Sequence, residues 1–590
     1  MPAPPPDFNP REPFAFLPAP EGPGRLFIHP RQWLAAERLD EVAPALEQAR
    51  ALAAGGMTLV GGLAFEAAAA FEPRLAPRFR PPGVPLLWFA AFDGAIPCPI
   101  EALPGADRPA ATGTPGARLS AAGHAAAHGR IQALIAAGDI YQANLTFAAD
   151  VALRGHPVAL FRRLFEASPV PHAALVHTGR HWWLSLSPEL FFTMADGRIS
   201  ARPMKGTAAR HADPAIDRGL ARALAADPKN RAENLMITDL LRNDLSRMAR
   251  PGTVRVPALF SLETYAYVHQ LTSTVVAEVA PGRDAIDALQ ALFPCGSVTG
   301  APKIRAQEII AEVEPEPRGL YCGAIGSIGP GAGRAHFNVA IRTLVIDGQS
   351  PGRATLGLGS GIVADSAHEG EWAECLAKAH FLAVTRPQTL IETMRRDAGG
   401  GIAHLPLHLA RLEASAAHLG FAMHRPALLQ ALAGLPPPPV AERLRLLMGR
   451  DGRFVLQRGP APLPPEGPVT ARLVPLPVAA DDWRLSHKTG DRAFYDEARR
   501  TAGTFEAIFL RPDGTVTEGS ITNVFVADGA GHFRTPPTPG LLPGILRQHL
   551  LDTGRATEAA LTRTDVETAA AEGRLFLGNA LRGLIPARLA

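Results

Sequence analysis

The sequence predicts an α+β protein with several domains. The chain has 590 residues, too many for one hydrophobic core when a domain usually holds about 100 to 200 residues. Apolar residues follow helical spacing in residues 231–248, whereas residues 337–347 and 389–397 are strand-like apolar runs. Helices and strands mixed in this way are typical of α+β domains.

The composition favours a globular enzyme. Hydrophobic residues make up 47%, charged residues 19%, and the net charge is +3, which gives no reason to expect nucleic acid as a partner. The proline-rich N-terminus has no apolar core like that of a signal peptide, and no run is long enough for a membrane span. The four cysteines form no CxxC pair, so a reducing cytoplasm is the simplest expectation.

Boundaries are predicted from changes in residue type. Residues 103–120 are small and polar, as in a linker, and a helical run ends near Thr385 before a new strand begins. Proline-rich residues 435–440 and 458–468 are expected to divide the last part into two lobes. The predicted domains are residues 1–120, 121–385 and 386–590.

Two helical runs carry candidate metal ligands. Glu233 lies on the same face as Ile237, so its carboxylate is expected to point inward or towards a cleft. In residues 368–382, Glu371, Glu374 and Lys378 share a stripe that is either a solvated salt-bridge face or part of a site. Glu233 and Glu374 together could hold magnesium, which prefers oxygen ligands.

Three further segments suit an anionic ligand. Lys303 follows a glycine-containing turn into a helix, and Arg342 is predicted on a strand, where its planar fork suits a carboxylate. Residues 356–366 contain glycines that let the backbone approach a ligand closely. Each segment alone is equally compatible with an ordinary helix start, a surface arginine or a tight turn.

Taken together, these segments resemble the chorismate-utilising enzymes across residues 121–380. The ordered motifs are YQANLTF, SPELFF, RPMKGT, ENLMITDLLRND, GSVTGAPK, YCGAIGSIG, FNVAIRT and GSGIVADS, and residues 61–73 resemble the N-terminal lobe of the synthase members. The resemblance implies large antiparallel sheets flanked by helices. It implies magnesium ligands Glu233 and Glu374, substrate contacts from Tyr321, Arg342, Gly359 and Gly361, ring neighbours His269 and Thr299, and further pocket charges from Lys303 and Glu371.

Lys205, in RPMKGT, distinguishes the reactions within that family. Aminodeoxychorismate synthases resemble this chain in having lysine there, whereas anthranilate synthases and isochorismate enzymes have alanine. Gln142 stands where water-activating members have lysine, and glutamine cannot deprotonate water. The implied chemistry is attack of Lys205 on C2 of chorismate, followed by addition of ammonia at C4. Since a neutral amine is required, we predict a lowered pKa for Lys205.

The last 200 residues contain a second candidate lysine, Lys488, and a carboxylate, Glu518. LPLHLARLEASAAHLGF, HKTGDRAFY, VTEGSITNVF, TPPTPGLLPGILR and FLGNALRGLIP occur in the order seen in fold type IV pyridoxal phosphate enzymes, which they resemble. That fold has two lobes. The resemblance implies that Lys488 binds the cofactor aldehyde and Glu518 its pyridine nitrogen, with the phosphate held by Arg411, Thr522, Ile545 and Leu546.

One departure concerns the start of this segment. The glycine-rich hairpin that usually precedes the first strand is missing, because LIETMRRD follows the first half directly. The lobe is therefore expected to be either truncated or completed by a partner subunit in a homodimer.

The pairing of the two resemblances implies a bifunctional route to 4-aminobenzoate for folate biosynthesis. A synthase would make 4-amino-4-deoxychorismate, and an aminodeoxychorismate lyase would release 4-aminobenzoate and pyruvate. A D-amino acid or branched-chain aminotransferase in the second half remains an alternative, as does a half that binds without catalysis. No glutamine amidotransferase segment is recognisable, so ammonia is expected from a separate glutaminase subunit.

Overall fold

The computed structural model describes residues 8–19, 22–108, 110–209, 214–264, 268–385, 387–478, 480, 482–529 and 531–590. The chain forms two compact units. The first comprises Met1–Asp107 and Pro115–Thr385, and the second comprises Arg108–Thr114 and Arg386–Ala590. Within the described ranges, no helix is long and apolar enough to cross a membrane.

Two antiparallel sheets form the first unit. In order of neighbours, the first sheet contains Gly300–Ala301, Gln142–Gly155, Arg353–Ile362, Thr343–Asp347, His181–Ser185, Ala174–His177, Phe14–Leu17, Gly24–Phe27 and Ile96–Cys98, with Gly116–Ala117 beside Gln142–Gly155. The second contains Met204–Ala209, Val268–Glu278, Arg198–Arg202, Leu190–Ala195, Ala335–Val339, Ala324–Ile328, Thr58–Leu63, Leu87–Phe92 and Gln32–Ala36, with Arg255–Thr264 beside Val268–Glu278. The large antiparallel sheets implied by the resemblance are confirmed.

Helices flank these sheets and bury one face each. The helix predicted at residues 231–248 runs from Pro228 to Ser246, and its Ile237, Leu241 and Leu245 join the main core. Asp227 caps it by accepting a hydrogen bond from the Asn230 backbone. The helices of this unit are Leu39–Ala54, Ala68–Phe71, Ala121–Ala136, Pro157–Ala167, Pro214–Ala226, Pro228–Ser246, Ala285–Leu292, Lys303–Val313 and His368–Ala377.

The predicted boundary at residue 120 does not separate compact units. Strands from residues 14–98 lie in the same two sheets as strands from residues 142–362, so residues 8–107 do not fold apart. Within the predicted linker, Arg108–Thr114 belongs to the second unit. The compact units otherwise divide between Thr385 and Arg386.

The second unit has two lobes, each built on its own sheet. The first lobe has antiparallel strands Thr389–Arg396, Glu442–Gly449 and Phe454–Pro460 with helices Leu405–Leu419 and Arg425–Ala433. The second sheet has the order Val516–Gly519, Glu506–Leu510, Val469–Pro475, Gly583–Leu589, Leu575–Asn579, Asn523–Ala527, Phe533–Thr535 and Ala556–Glu558, with helices Ala493–Ala502, Ile545–Asp552 and Arg563–Ala571. Proline-rich residues 461–468 connect the lobes, whereas residues 435–440 lie within the first lobe.

Candidate active sites

Lys205 lies at an irregularity in the strand Met204–Ala209. Pairing with Val268–Glu278 shifts register between Met204 and Thr207, which places Lys205 and Gly206 in a bulge. Gly206 has φ +93°, a conformation that favours glycine. The Lys-Gly pair thus lets the strand bend and turn the lysine side chain out of the regular ladder.

The amine of Lys205 and the amide of Gln142 both lie close to the backbone of Gly361. A Cβ added to Gly361 would lie 2.9 Å from Lys205 Nζ and 2.5 Å from Gln142 Nε2, so only glycine leaves room for both groups. Gln142 is 1% exposed. Its amide nitrogen and oxygen have no hydrogen-bond partner among the described residues, which suits a ligand.

Burial lowers the pKa of Lys205, as the sequence predicted. Among the nearby charges, Glu233, Glu374 and Glu189 raise this pKa, and Lys378 lowers it further. A lowered pKa increases the fraction of the neutral amine, which is the nucleophilic form.

Glu189 is a carboxyl group that the sequence analysis did not single out. It is 5% exposed and accepts a 2.6 Å hydrogen bond from Ser297 Oγ. Burial raises its pKa to about 7, although Ser297, Lys205 and Lys378 oppose the shift. Its motif, SPELFF, carried the signal, but a buried acid and an exposed acid look the same in one sequence.

Glu371 and Glu374, from one helix, are close enough to Glu233, from another, to affect its pKa. Burial raises the pKa of Glu233, against the effect of Lys205, and the charges of Glu371 and Glu374 raise it further. Glu374 is also partly desolvated, but Lys378 Nζ lies 2.8 Å from its Oε1 and holds its pKa below the usual value.

These oxygen donors fit magnesium, which usually takes one or two protein carboxylates plus substrate oxygens. In the segments that the structure describes, no group of three or more His, Cys, Asp or Glu side chains is arranged to hold a metal. A magnesium site on Glu233 and Glu374 therefore stays a prediction that needs ligands from the substrate or water.

Three predicted residues are held by protein partners. His269 Nε2 lies 3.0 Å from Asp217 Oδ1, and its Nδ1 is also hydrogen-bonded. Thr299 donates to a backbone carbonyl in its own turn at 3.0 Å. Lys303 Nζ lies 2.9 Å from Asp244 Oδ2. A direct role for these three side chains in substrate binding stays a prediction.

Arg342 lies between two strands, not within one as predicted. Its φ is +48°, and strands end at Val339 and resume at Thr343. Burial lowers its pKa, and its guanidinium has no ion pair or hydrogen bond with any described residue. An uncompensated, desolvated cation of this kind suits a carboxylate ligand.

Tyr321 and the glycines of Arg353–Ile362 meet at close range. A Cβ on Gly357 would lie 2.0 Å from Cγ of Tyr321, so the ring lies directly on this glycine. The carbonyl of Gly359 accepts a 2.7 Å hydrogen bond from Lys378 Nζ. Lys378 thus joins the strand to Glu374, a structural role that its place in a charged stripe did not reveal.

The second unit contains a cavity of about 740 Å³. Lys488, Glu518, Arg411, Thr522 and Ile545 all line it, so the structure brings these predicted residues together. Burial, reinforced by Arg492 and Arg411, lowers the pKa of Lys488 to about 7. An amine that is partly neutral at physiological pH can bond to an aldehyde.

Glu518 lies in the same cavity and accepts two hydrogen bonds. Tyr495 Oη donates to its Oε1 at 2.5 Å, and the Leu542 backbone donates at 3.1 Å. Burial raises the pKa of Glu518 to about 7. Tyr495 was not singled out from the sequence, although it lies within the quoted motif HKTGDRAFY.

Arg411 and the helix start at Ile545 also line the cavity and suit a phosphate. Arg411 lines the cavity and forms two hydrogen bonds with Glu392, at 2.9 and 2.7 Å. Ile545 and Leu546 begin a helix, where free N–H groups favour an anion. Thr522 donates its hydroxyl to Glu506 at 2.7 Å, so its own contact with phosphate stays a prediction. An amine, a carboxyl group and a cationic helix start together fit pyridoxal phosphate.

Comparisons with known proteins match both units. Residues 100–384 match the chorismate binding enzyme family, and residues 389–590 match amino-transferase class IV. Anthranilate synthase component 1 of Streptomyces coelicolor is 44% identical over 50% of this chain and 56% of that protein. Aminodeoxychorismate synthase component 1 of Klebsiella aerogenes is 45% identical over 42% of this chain and 55% of that protein.

The chain spans about half the length of these curated relatives. A solved structure, anthranilate synthase component I from Streptococcus pneumoniae TIGR4, is 24% identical and has a TM-score of 0.53. It covers 62% of this chain and 93% of its own length. This similarity supports the fold of the first unit.

Proposed function

Because the chain joins a domain of the chorismate binding enzyme family to a domain of the class IV aminotransferase family, we propose that it makes 4-aminobenzoate from chorismate. The first unit converts chorismate and ammonia to 4-amino-4-deoxychorismate. The second releases 4-aminobenzoate and pyruvate. The observation that carries the proposal is the lowered pKa of Lys205. Burial lowers it, although the carboxylates of Glu233, Glu374 and Glu189 lie close enough to oppose the shift.

In the first unit, the neutral amine of Lys205 attacks C2 of chorismate while the C4 hydroxyl leaves as water. Glu189, with a pKa near 7, supplies the proton for that water. Ammonia then adds at C4 as the bond between C2 and Lys205 breaks, which restores the amine. Glu233 and Glu374 would hold magnesium, which offsets carboxylate charge when bound. Arg342 and Tyr321 orient the substrate carboxylates.

In the second unit, pyridoxal phosphate, when bound, supplies an electron sink for the bond that breaks. Glu518 would pair with the pyridine nitrogen, and Arg411 and the helix start at Ile545 would hold the phosphate. Lys488 removes the C4 proton, and aromatisation favours loss of the enolpyruvyl group as pyruvate.

A second candidate is an aminotransferase in the second unit, which the class IV family match also supports. The two functions differ in their products. A lyase releases pyruvate from 4-amino-4-deoxychorismate, whereas an aminotransferase exchanges the amino group with a 2-oxo acid.

The deciding experiment supplies the purified chain with chorismate, magnesium, ammonia and pyridoxal phosphate. We expect 4-aminobenzoate and pyruvate in equal amounts. Lys488→Ala should lose the cofactor chromophore and accumulate 4-amino-4-deoxychorismate. A wild-type chain without a chromophore, or amino exchange that exceeds pyruvate release, would contradict the lyase. Glutamine should replace ammonia only when a separate glutaminase subunit is added.

A further inference from the structure

The cavity of the second unit is strongly cationic. Its acidic lining residues are Asp496 and Glu518. Against these two carboxyl groups, it is lined by Lys488 and by Arg411, Arg443, Arg445, Arg484, Arg492, Arg499 and Arg582.

Some of these arginines are compensated by neighbouring carboxylates. The pairs are Arg411 with Glu392, Arg484 with Asp482, and Arg499 with Asp496. Their distances are 2.7, 2.8 and 4.0 Å, respectively. These cations therefore do not explain the excess charge.

Arg443, Arg445, Arg492 and Arg582 have no ion pair with any carboxylate in the described parts of the chain. Arg445 Nε is buried without a hydrogen-bond partner there. Arg492 Nη2 donates only to a neutral acceptor, the carbonyl of Ser520, at 2.7 Å. Burial lowers the pKa of Arg582, and the charges of Arg499 and Arg443 add to this effect. Cations that share one cavity and have no carboxylate partner repel one another unless an anion joins them.

The placement of two of these arginines is set by the strand Glu442–Gly449. Arg443 and Arg445 are two residues apart, so they lie on one face of the sheet. Leu447 continues the same face, and all three line the cavity. A carboxylate bound near Arg443 and Arg445 would meet two guanidinium groups at once.

We propose that Arg443, Arg445, Arg492 and Arg582 select a substrate with two carboxylates at the second site. The inference rests on the proposed function, because it takes Lys488 as the cofactor lysine of that site. A substrate with one carboxylate leaves most of this charge uncompensated, whereas a dicarboxylate neutralises two cations. This arrangement disfavours an amino acid with an apolar side chain and favours the lyase substrate.

The test uses 3-(carboxymethoxy)benzoate, which has a ring carboxylate and an ether-linked carboxylate but no amine to react. Its affinity for the cofactor-loaded chain is measured by calorimetry and compared with those of benzoate and phenoxyacetate. We expect the dicarboxylate to bind at least about ten-fold more tightly than either monocarboxylate. Equal affinities would overturn the proposal.

Arg443→Gln tests the same point from the protein side. Arg443 is exposed at its strand position, so this variant should fold, and it should weaken dicarboxylate binding about ten-fold. Arg453→Gln is the control, because the Arg453 side chain is 92% exposed. Unchanged affinity in Arg443→Gln would contradict the inference. A missing cofactor chromophore would instead contradict the proposed function, so the two failures are distinguishable.

Discussion

At the scale of single residues, the first unit crowds several side chains around the amine of Lys205. Lys205 is next to a glycine that leaves it space, a glutamine without partners and a buried acid. Each neighbour acts differently on the same nitrogen. Gly361 leaves room for it, burial lowers its pKa, and the charge of Glu189 raises that pKa.

Replacing Lys205 with alanine should abolish the proposed covalent step. We expect ammonia-dependent consumption of chorismate to fall at least about 100-fold, the scale of a lost catalytic group. Circular dichroism should show an unchanged fold. If the variant kept most of its turnover, covalent participation by Lys205 would be wrong.

Gly361→Ala should act on the same amine without removing it. The new methyl group would occupy space within 3 Å of Lys205 Nζ and Gln142 Nε2, so we expect turnover of chorismate to fall about ten-fold or more. Gly370→Ala is a matched control, since nothing lies within 4 Å of a Cβ there. Equal activity of the two variants would show that Gly361 does not shape the site.

Residues with a distinctive motif could be predicted, whereas residues defined by burial could not. Lys205, Lys488 and Glu518 were identified because their neighbours in sequence carried the resemblance. Glu189 and Tyr495 lay within quoted motifs, but their importance comes from contacts with residues distant in sequence, namely Ser297 and Glu518. One sequence without its fold does not reveal such pairs.

At the scale of elements, the helices Ala121–Ala136 and His368–Ala377 meet through aromatic rings. His124 is fully buried, and both its ring nitrogens lack a hydrogen-bond partner among the described residues. Its ring centroid lies 5.3 Å from those of His368 and Trp372. Burial lowers the pKa of His124 to about 4, and the nearby His368 and His128 reinforce the shift.

His124→Phe should stabilise the first unit. The change removes two unsatisfied polar atoms and keeps the ring packing, so we expect a gain of about 1 to 3 kcal/mol at pH 7. Thermal unfolding measures this gain in stability. His380→Phe is the control, because His380 is exposed. A lower melting temperature for His124→Phe than for the wild type would contradict this account.

The same histidine should make stability depend on pH. Its folded-state pKa of about 4 lies below the ordinary value of 6.5, so the unfolded chain binds more protons between these values. Stability should therefore fall as pH decreases from about 6.5 to 4. His124→Phe should reduce that slope in denaturant titrations, and an unchanged slope would exclude His124 as its source.

Element boundaries were predictable where apolar spacing was regular. The helix Pro228–Ser246 has three buried apolar residues at helical spacing. The run after Glu371 was predicted as one helix, but the α-helix ends at Ala377 and a 3-10 segment, Lys378–Thr385, follows. Leu376, in the last turn of the α-helix, is 40% exposed, whereas Leu382 in the 3-10 segment is fully buried.

At the scale of the whole molecule, the two candidate sites lie in different compact units. Each unit should therefore perform its own step when the other is inactivated. Lys205→Ala should still convert added 4-amino-4-deoxychorismate to 4-aminobenzoate, and Lys488→Ala should still consume chorismate. Chromatography of both reaction mixtures tests this. Loss of both steps in either single variant would contradict independent sites.

The short segment Arg108–Thr114 belongs to the second unit although the chain on both sides of it belongs to the first. Ala111 packs in the core of the second unit, and Arg450 Nη2 donates to Thr114 Oγ1 at 2.9 Å. The polypeptide thus passes between the units three times. Cutting the chain after Thr385 would leave the C-terminal fragment without Arg108–Thr114, so no single break separates the two compact units intact.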